Sequence, residues 1–158
     1  MALVDMFLKL DGVEGESKDP KHSNEIQIEG FRVGAESPWD AHTNQKSGKV
    51  QMAHLTIHAK VDKSTPKIFD MITKNIKIPK ATLTCRKAGT QQEPYLTVTL
   101  TDVLVVRVQA GDPGTDSVLP PCTFDLGYSK IEMEAREQTE KGPTGGPVKF
   151  QFNLSANA

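Results

Sequence analysis

Strict alternation of apolar and polar side chains is the feature of this sequence that most limits the folds open to it. Between residues 50 and 61, Leu55, Ile57 and Ala59 alternate with polar residues. Because successive side chains of a strand point to opposite faces, this pattern predicts a strand with one buried face. Similar runs recur between clusters of Gly, Pro, Asp and Asn, as in antiparallel sandwiches and barrels. The sequence therefore predicts an all-β, mainly antiparallel fold, either a β-barrel or a β-sandwich.

Two changes of phase within the apolar runs predict bends in the sheet. In the second strand the apolar positions move from Ile28 to Phe31 across Gly30, as a β-bulge would produce. A second change falls at residues 129–130, where the chain is expected to pass from one sheet to another at a corner.

One α-helix is predicted over about residues 65–75. Ser64 offers a capping hydroxyl and Pro66 suits the first helical turn. Apolar residues then follow at helical spacing from Ile68 to Ile72. A helix of three turns with one apolar stripe is expected to flank the end or the side of the barrel.

Three segments lack any pattern of burial and are predicted to be long loops. They cover about residues 11–24, 36–48 and 111–121, and each is rich in turn-forming residues. The first of them contains little to bury and is expected to be exposed. A length of 158 residues otherwise fits one domain, expected over residues 1–158.

Charge and hydropathy exclude two classes of partner. The chain has 19 Lys and Arg against 20 Asp and Glu, a net charge of −1, so it has no bulk field to attract nucleic acid. No stretch approaches the roughly 20 apolar residues of a transmembrane helix, and the first residues lack the features of a signal peptide. We therefore expect no membrane insertion and synthesis that ends in the cytosol.

The residues that could carry chemistry predict no catalytic, cofactor or metal site. His54 and His58 lie four residues apart, which on a strand is about 13 Å and too far to hold one ion. Glu132 and Glu134 share an outward face with Arg136, which indicates a solvated and partly paired surface. We expect a protein that is not an enzyme.

The two cysteines, Cys85 and Cys122, do not suggest redox or metal chemistry. They are too few for a disulfide framework and neither forms a Cys-x-x-Cys pair. Cys85 alternates in phase with Ala81 and Leu83, so it is expected to pack on an apolar strand face as a free thiol.

One surface is predicted to contact another chain. Residues 103–106 are apolar on both faces of their strand, and Val103 and Val105 are the candidate inter-subunit residues on it. Trp39, the single tryptophan, lies in the second long loop and is a third candidate. A lone tryptophan in such a loop more often covers an edge or a neighbouring chain than a catalytic centre.

Several short motifs follow one another along nearly the whole chain. They include MFLK at residues 6–9, GESKD at 15–19, DKSTP at 62–66, ATLT at 81–84 and GGPVK at 145–149. No single motif is diagnostic, but their order and spacing together resemble the haemolysin-coregulated protein (Hcp) family, which forms the tube of the bacterial type VI secretion system. Residues 36–48 depart most from the family pattern.

This resemblance implies a structural role in a secretion machine. It implies a two-sheet β-barrel with one flanking helix, a homo-hexameric ring, stacked rings that form a tube, and contacts with the tube, sheath and spike components. It also implies that effector proteins are carried in the lumen, and that the protein moves from the cytoplasm to the outside without a cleaved signal peptide. Arg32 is the candidate lumen-facing residue, because it follows the predicted bulge and is opposite in phase to Phe31 and Val33.

Two other functions are consistent with the same pattern. The tail-tube protein of a contractile phage-like particle would share this architecture. A monomeric β-barrel that binds a small ligand would instead have a deep apolar cavity and form no ring. The double-faced apolar run at 103–106 favours assembly over a monomer.

Overall fold

The computed structural model describes residues 4–88, 93–112, 114, 119–139 and 142–157. Within them the chain forms strands, one α-helix and a terminal 3-10 helix at Ser155–Asn157. In chain order the elements are β1 (Val4–Leu10), β2 (Ile26–Arg32), β3 (Ala35–Glu36), β4 (Trp39–Asp40), β5 (Gln45–Lys46), β6 (Gln51–Met52), β7 (Leu55–Lys60), α1 (Ser64–Thr73), β8 (Ile78–Lys87), β9 (Pro94–Ala110), β10 (Pro121–Gly127), β11 (Lys130–Thr139) and β12 (Gly142–Asn153).

The main sheet closes partly on itself. Six strands pair in a ring in the order β1, β2, β7, β10, β9 and β8, and every pairing is antiparallel. Strands β11 and β12 extend this sheet outside the ring, beside the first half of β9. The prediction of an all-β, mainly antiparallel fold with one flanking helix is confirmed.

Strand β9 explains how one strand can serve both the ring and its extension. Its first half pairs with β8 and β11, and its second half pairs with β10. Between the two halves, Asp102 has a φ of 53°, a left-handed conformation uncommon outside glycine. At 129–130, where one strand was expected to cross from one sheet to another, β10 instead ends at Gly127 and β11 begins at Lys130. Both strands belong to the same sheet and pair with different halves of β9.

The left-handed conformation of Asp102 also shows that the prediction for Val103 and Val105 is wrong. The buried positions of β9 are Val98 and Leu100 before Asp102, and Val103 and Val105 after it, so the alternation advances by one residue there. Val103 and Val105 therefore lie in the hydrophobic core of the chain and are not available to a second subunit.

The predicted bulge in β2 is confirmed. In the ladder with β7, Ile28 pairs with Ala59 while Gly30 pairs with His58, so one extra residue lies on β2 at this point. The ladder between β1 and β2 ends at the pair of Met6 and Ile28. Beyond that pair the two strands separate, because the bulge bends β2 away from β1.

The helix expected over 65–75 lies at Ser64–Thr73. Its amino end is held by Asp62, whose carboxylate accepts a hydrogen bond from the Ser64 amide at 2.8 Å, rather than by the Ser64 hydroxyl as predicted. Asn75 has a φ of 52° and follows the carboxyl end, where left-handed residues commonly end helices. Ile68 and Met71 anchor the helix in the core, and it packs against β9.

Two segments predicted as long loops have different structures. Residues 11–24, here called loop 11–24, bury Val13, Gly15 and Ser17 at alternate positions, although this segment was expected to be exposed. Residues 35–52, here called arm 35–52, form two short ladders, β3 with β6 and β4 with β5. Much of the third segment, at residues 113 and 115–118, lies outside the described residues.

Candidate functional site

The sequence-predicted site residues do not form one site. Arg32 is exposed at the end of β2, pairs in register with Thr56, and lines a surface groove of about 460 Å³ at the base of arm 35–52. Trp39 is 61% exposed on the arm, and its indole nitrogen donates a hydrogen bond to Asn44 Oδ1 at 2.9 Å. Val103 and Val105 are in the core. Two candidates therefore remain on the surface, Arg32 and Trp39.

A buried arginine organises loop 11–24. The Arg86 side chain is 2% exposed, and it reaches Asp19 of the loop with Nη1 3.2 Å from Oδ1 and a second bond from Nη2 to Oδ2. The same Nη2 lies 3.4 Å from Asp5 Oδ2. The hydrogen bond from Arg86 lowers the pKa of Asp19 below its ordinary value of 3.8, and the same bond raises the pKa of Arg86.

An aromatic stack completes this attachment. The Phe7 ring packs on the His22 imidazole of the loop with centroids 4.4 Å apart and planes within 7°. The guanidinium carbon of Arg86 lies 4.9 Å from the centroid of the same Phe7 ring. His22 Nδ1 is 2.9 Å from Glu25 Oε2. Loop 11–24 is thus held to β1 and β8 by charge, stacking and hydrogen bonds together.

The backbone of loop 11–24 also packs closely against the neighbouring backbone at Glu25. A Cβ atom on Gly15 would lie 2.5 Å from the Glu25 carbonyl oxygen, so this close approach requires glycine. Glu16 then accepts a hydrogen bond from the Lys63 amide at 2.8 Å, which connects the loop to the start of α1. Alternation along β8 does not reveal this arrangement, because Arg86 lies at an apparently outward position of the strand. The motif at 15–19, with His22 and Glu25 after it, was the available signal.

The groups considered for catalysis are paired or buried. Glu132 lies 2.9 Å from Lys130 Nζ, and Glu134 lies 3.2 Å from Arg136 Nη2. Burial raises the pKa of the Cys85 thiol to about 11, so it is protonated at neutral pH. Within the described residues, no group of three or more His, Cys, Asp or Glu could hold a metal ion.

The described part of the chain contains no helix long and apolar enough to cross a membrane.

The hairpin of β11 and β12 carries the most exposed apolar surface. Val148 is 75% and Phe150 47% exposed, although both have the phase of the core-facing residues Met133 and Phe152. The apolar face of the sheet therefore continues past the end of the core. Among the described strands, β12 pairs with β11 and with no other, so it is also an open sheet edge. Such an edge with uncovered apolar residues is suited to a contact with another chain.

Comparison with known proteins gives consistent similarities. Residues 7–134 match the family model described as "Type VI secretion system effector, Hcp". Protein hcp1 of Pseudomonas aeruginosa is 35% identical over 158 residues, which covers 98% of this chain and 97% of that protein.

Solved structures agree over the same extent. The crystal structure of Hcp1 from Salmonella typhimurium has a TM-score of 0.80 at 29% identity, covering 98% of this chain and 97% of that chain. A structure described as a type six secretion system protein has a TM-score of 0.89 at 25% identity, covering 98% of both chains. The similarity thus includes the core, loop 11–24, arm 35–52 and the β11–β12 hairpin.

Proposed function

The chain belongs to the Hcp family of the type VI secretion system, a family of structural tube components, and we propose that it assembles into a hexameric ring that stacks into the expelled inner tube. The observation that carries this proposal is the uncovered apolar face of the β11–β12 hairpin, with Val148 and Phe150 at its most exposed end. A monomer would leave this face and its sheet edge in water, whereas a closed ring covers both in every subunit.

The surface proposed for subunit contact therefore differs from the one predicted from the sequence. Val148 and Phe150 replace Val103 and Val105 as the proposed contact residues, because Val103 and Val105 are buried. Trp39 remains a candidate for contact with a neighbouring subunit or ring, because its large apolar side chain is exposed on arm 35–52.

Imaging tests the ring directly. Negative-stain electron microscopy of the purified protein is expected to show annular particles. The variant Phe150→Asp is expected to lose them, because a charge on this face would be buried without a partner in the ring. Annuli of unchanged number in that variant would show that this face is not used in assembly.

We also propose that the ring carries effector proteins in its lumen, so residues on the lumen wall would contact the cargo. We place Arg32 on the lumen wall, where an exposed guanidinium could hold acidic or polar groups of an effector protein. Arg32→Glu is expected to reduce retention of a co-expressed effector while rings still form. Unchanged retention would remove Arg32 from the cargo site.

The proposed location follows from the same machine. The protein would be made in the cytoplasm, assemble there with the sheath and spike components, and be expelled with its effector cargo. Its appearance in culture supernatant only when the secretion system is active is the expected result. Equal amounts from a strain without the sheath would contradict export by this route.

A further inference from the structure

The outward surface of the sheet formed by β2, β7, β10 and β9 presents two polar rows that cross all four strands. In register across these strands, the first row is Arg32, Thr56, Asp125 and Arg107. The second row is Gly30, His58, Thr123 and Gln109. The residues between the rows, Ile57 and Phe124 among them, are buried in the core, so both rows lie on the opposite side of the sheet. This surface is here called the polar face.

The fixed charges of the polar face nearly cancel. Each cationic side chain has a carboxylate near it, in the pairs Arg107 with Asp125, Lys60 with Glu29, and Arg32 with Glu36. The first pair is in register on neighbouring strands, the second has its charged atoms 3.9 Å apart, and the third lines the groove at the base of arm 35–52. The sign of the face therefore depends on the side chains that titrate near neutral pH.

Two histidines lie on the same face. His58 is exposed in the second row, and His54 is exposed four residues before it, beside Gly127. His58 Nδ1 lies 3.4 Å from Thr123 Oγ1. Because a hydroxyl can donate to a neutral imidazole or accept from an imidazolium, this pair fits either protonation state without rearrangement. Protonation of both histidines would make the polar face positive.

Such a surface suits carboxylates better than phosphates. Asp125 and Glu29 interrupt the cationic groups, so a continuous phosphate backbone would meet repulsion along the face. The carboxylates of a protein segment are separated from one another and can approach the guanidinium of Arg32 and the two imidazoles individually. Thr56 and Gln109 offer neutral hydrogen-bonding groups beside them. The complementary partner is therefore a protein segment rich in Asp and Glu.

We propose that the polar face binds acidic segments of a protein cargo, and that protonation of His54 and His58 strengthens this binding. This assignment rests on the carrier role proposed above, because Arg32 lies on the same face, and it specifies the chemical class of the cargo and its pH dependence. Histidine ordinarily changes charge between about pH 5 and pH 8, whereas carboxylates and guanidinium groups keep their charges over that range. Cargo is therefore held more tightly in mildly acidic solution than at neutral pH.

Fluorescence anisotropy of a labelled oligoaspartate peptide tests this binding with the full chain. At low ionic strength, the affinity is expected to rise several-fold between about pH 7.5 and about pH 5.5. The double variant His54→Gln with His58→Gln is expected to lose most of that rise. Arg32→Gln is expected to weaken binding at both pH values and to keep the rise, because a guanidinium does not titrate in this range.

A matched pair of single variants separates the polar face from the net charge of the chain. His58→Gln and His42→Gln each remove one exposed imidazole, but His42 lies on arm 35–52, outside the polar face. Both variants therefore change the net charge at acidic pH by the same amount. The rise in affinity is expected to fall in His58→Gln and to stay unchanged in His42→Gln. Equal effects of the two variants would overturn the proposal, since the charge of the whole chain would then account for the binding.

The remaining outcomes separate the polar face from the proposed ring. Annular wild-type particles that bind no oligoaspartate, or that bind a single-stranded oligonucleotide equally well, would overturn the acidic cargo and leave the ring in place. Histidine-dependent binding by a protein that stays monomeric would support the polar face and contradict the ring. Monomeric protein without such binding would overturn both.

Discussion

Loop 11–24 and arm 35–52 have similar compositions but different relationships to the core. Both are polar and rich in turn-forming residues. The loop buries Val13, Gly15 and Ser17 and is held by Arg86, whereas residues 41–51 of the arm are all exposed. The comparison shows that composition does not decide whether a connection is ordered by the core. One buried partner, 67 residues away in sequence, makes that difference.

Removing the buried guanidinium of Arg86 should have the largest effect on the difference between loop 11–24 and arm 35–52. Arg86→Ala is expected to lower the free energy of unfolding by about 3–5 kcal/mol, because Asp19 and Asp5 would lose the charge that faces them. Urea unfolding followed by circular dichroism measures this. The exposed Arg136→Ala, whose partner is Glu134, is the matched control and is expected to cost less than about 1 kcal/mol. Equal losses would mean that Arg86 does not hold loop 11–24.

A single methyl group tests the close fit of the loop. Gly15→Ala is expected to destabilise the chain by about 1–3 kcal/mol, because the new Cβ would overlap the Glu25 carbonyl. In arm 35–52, the new Cβ of Gly48→Ala would contact only the Pro38 ring, with Cγ at 3.4 Å and Cβ at 3.8 Å, and the change should alter the free energy of unfolding by less than about 0.5 kcal/mol. Thermal unfolding of both variants would show whether the two regions differ in packing as described.

The stabilisation that the Arg86–Asp19 pair gives to the folded chain should decrease as the pH falls. The pKa of Asp19 is lowered in the folded chain, so its pairing stabilises the fold above the ordinary value of 3.8. That stabilisation is lost as pH falls through the lower folded value, since the unfolded state takes up the proton first. The difference in stability between wild type and Asp19→Asn is therefore expected to shrink between pH 7 and pH 3. A constant difference would exclude this ion pair as its cause.

The smallest effect is expected in the arm. Trp39→Ala removes an exposed side chain and its bond to Asn44, so it should change the stability of the free chain by less than about 0.5 kcal/mol. Hydrogen exchange offers the matching comparison, with slower exchange in loop 11–24 than in residues 41–51. A large loss of stability in Trp39→Ala would mean that the arm is attached to the core more firmly than its exposure indicates.

The sequence predicts the strands and the bulge in β2 well because they depend on local periodicity. The bulge at Gly30 follows from the phase of nearby apolar residues, whereas the change of phase at 129–130 marks the junction of β10 and β11 within one sheet rather than a crossing between sheets. The helix was also placed within two residues at each end, although the carboxylate of Asp62 replaces the Ser64 hydroxyl at its start.

The errors arise where a distant contact or one unusual residue overrides the local pattern. Val103 and Val105 were assigned to the surface because the left-handed conformation of Asp102, which shifts the alternation, is not visible in the pattern. Loop 11–24 was expected to be exposed because the pairing of Arg86 with Asp19 joins two distant segments. The uncovered face at Val148 and Phe150 depends on how far β12 extends beyond the core, which periodicity does not reveal.

The solution mass of the purified protein, measured by light scattering, tests the proposed assembly most directly. A mass about six times the 17.3 kDa chain is expected, with loss of that mass in Phe150→Asp and no loss in Val106→Asp, which alters an exposed valine outside the proposed contact. A chain that remains at 17.3 kDa at high concentration would contradict the preassembled ring.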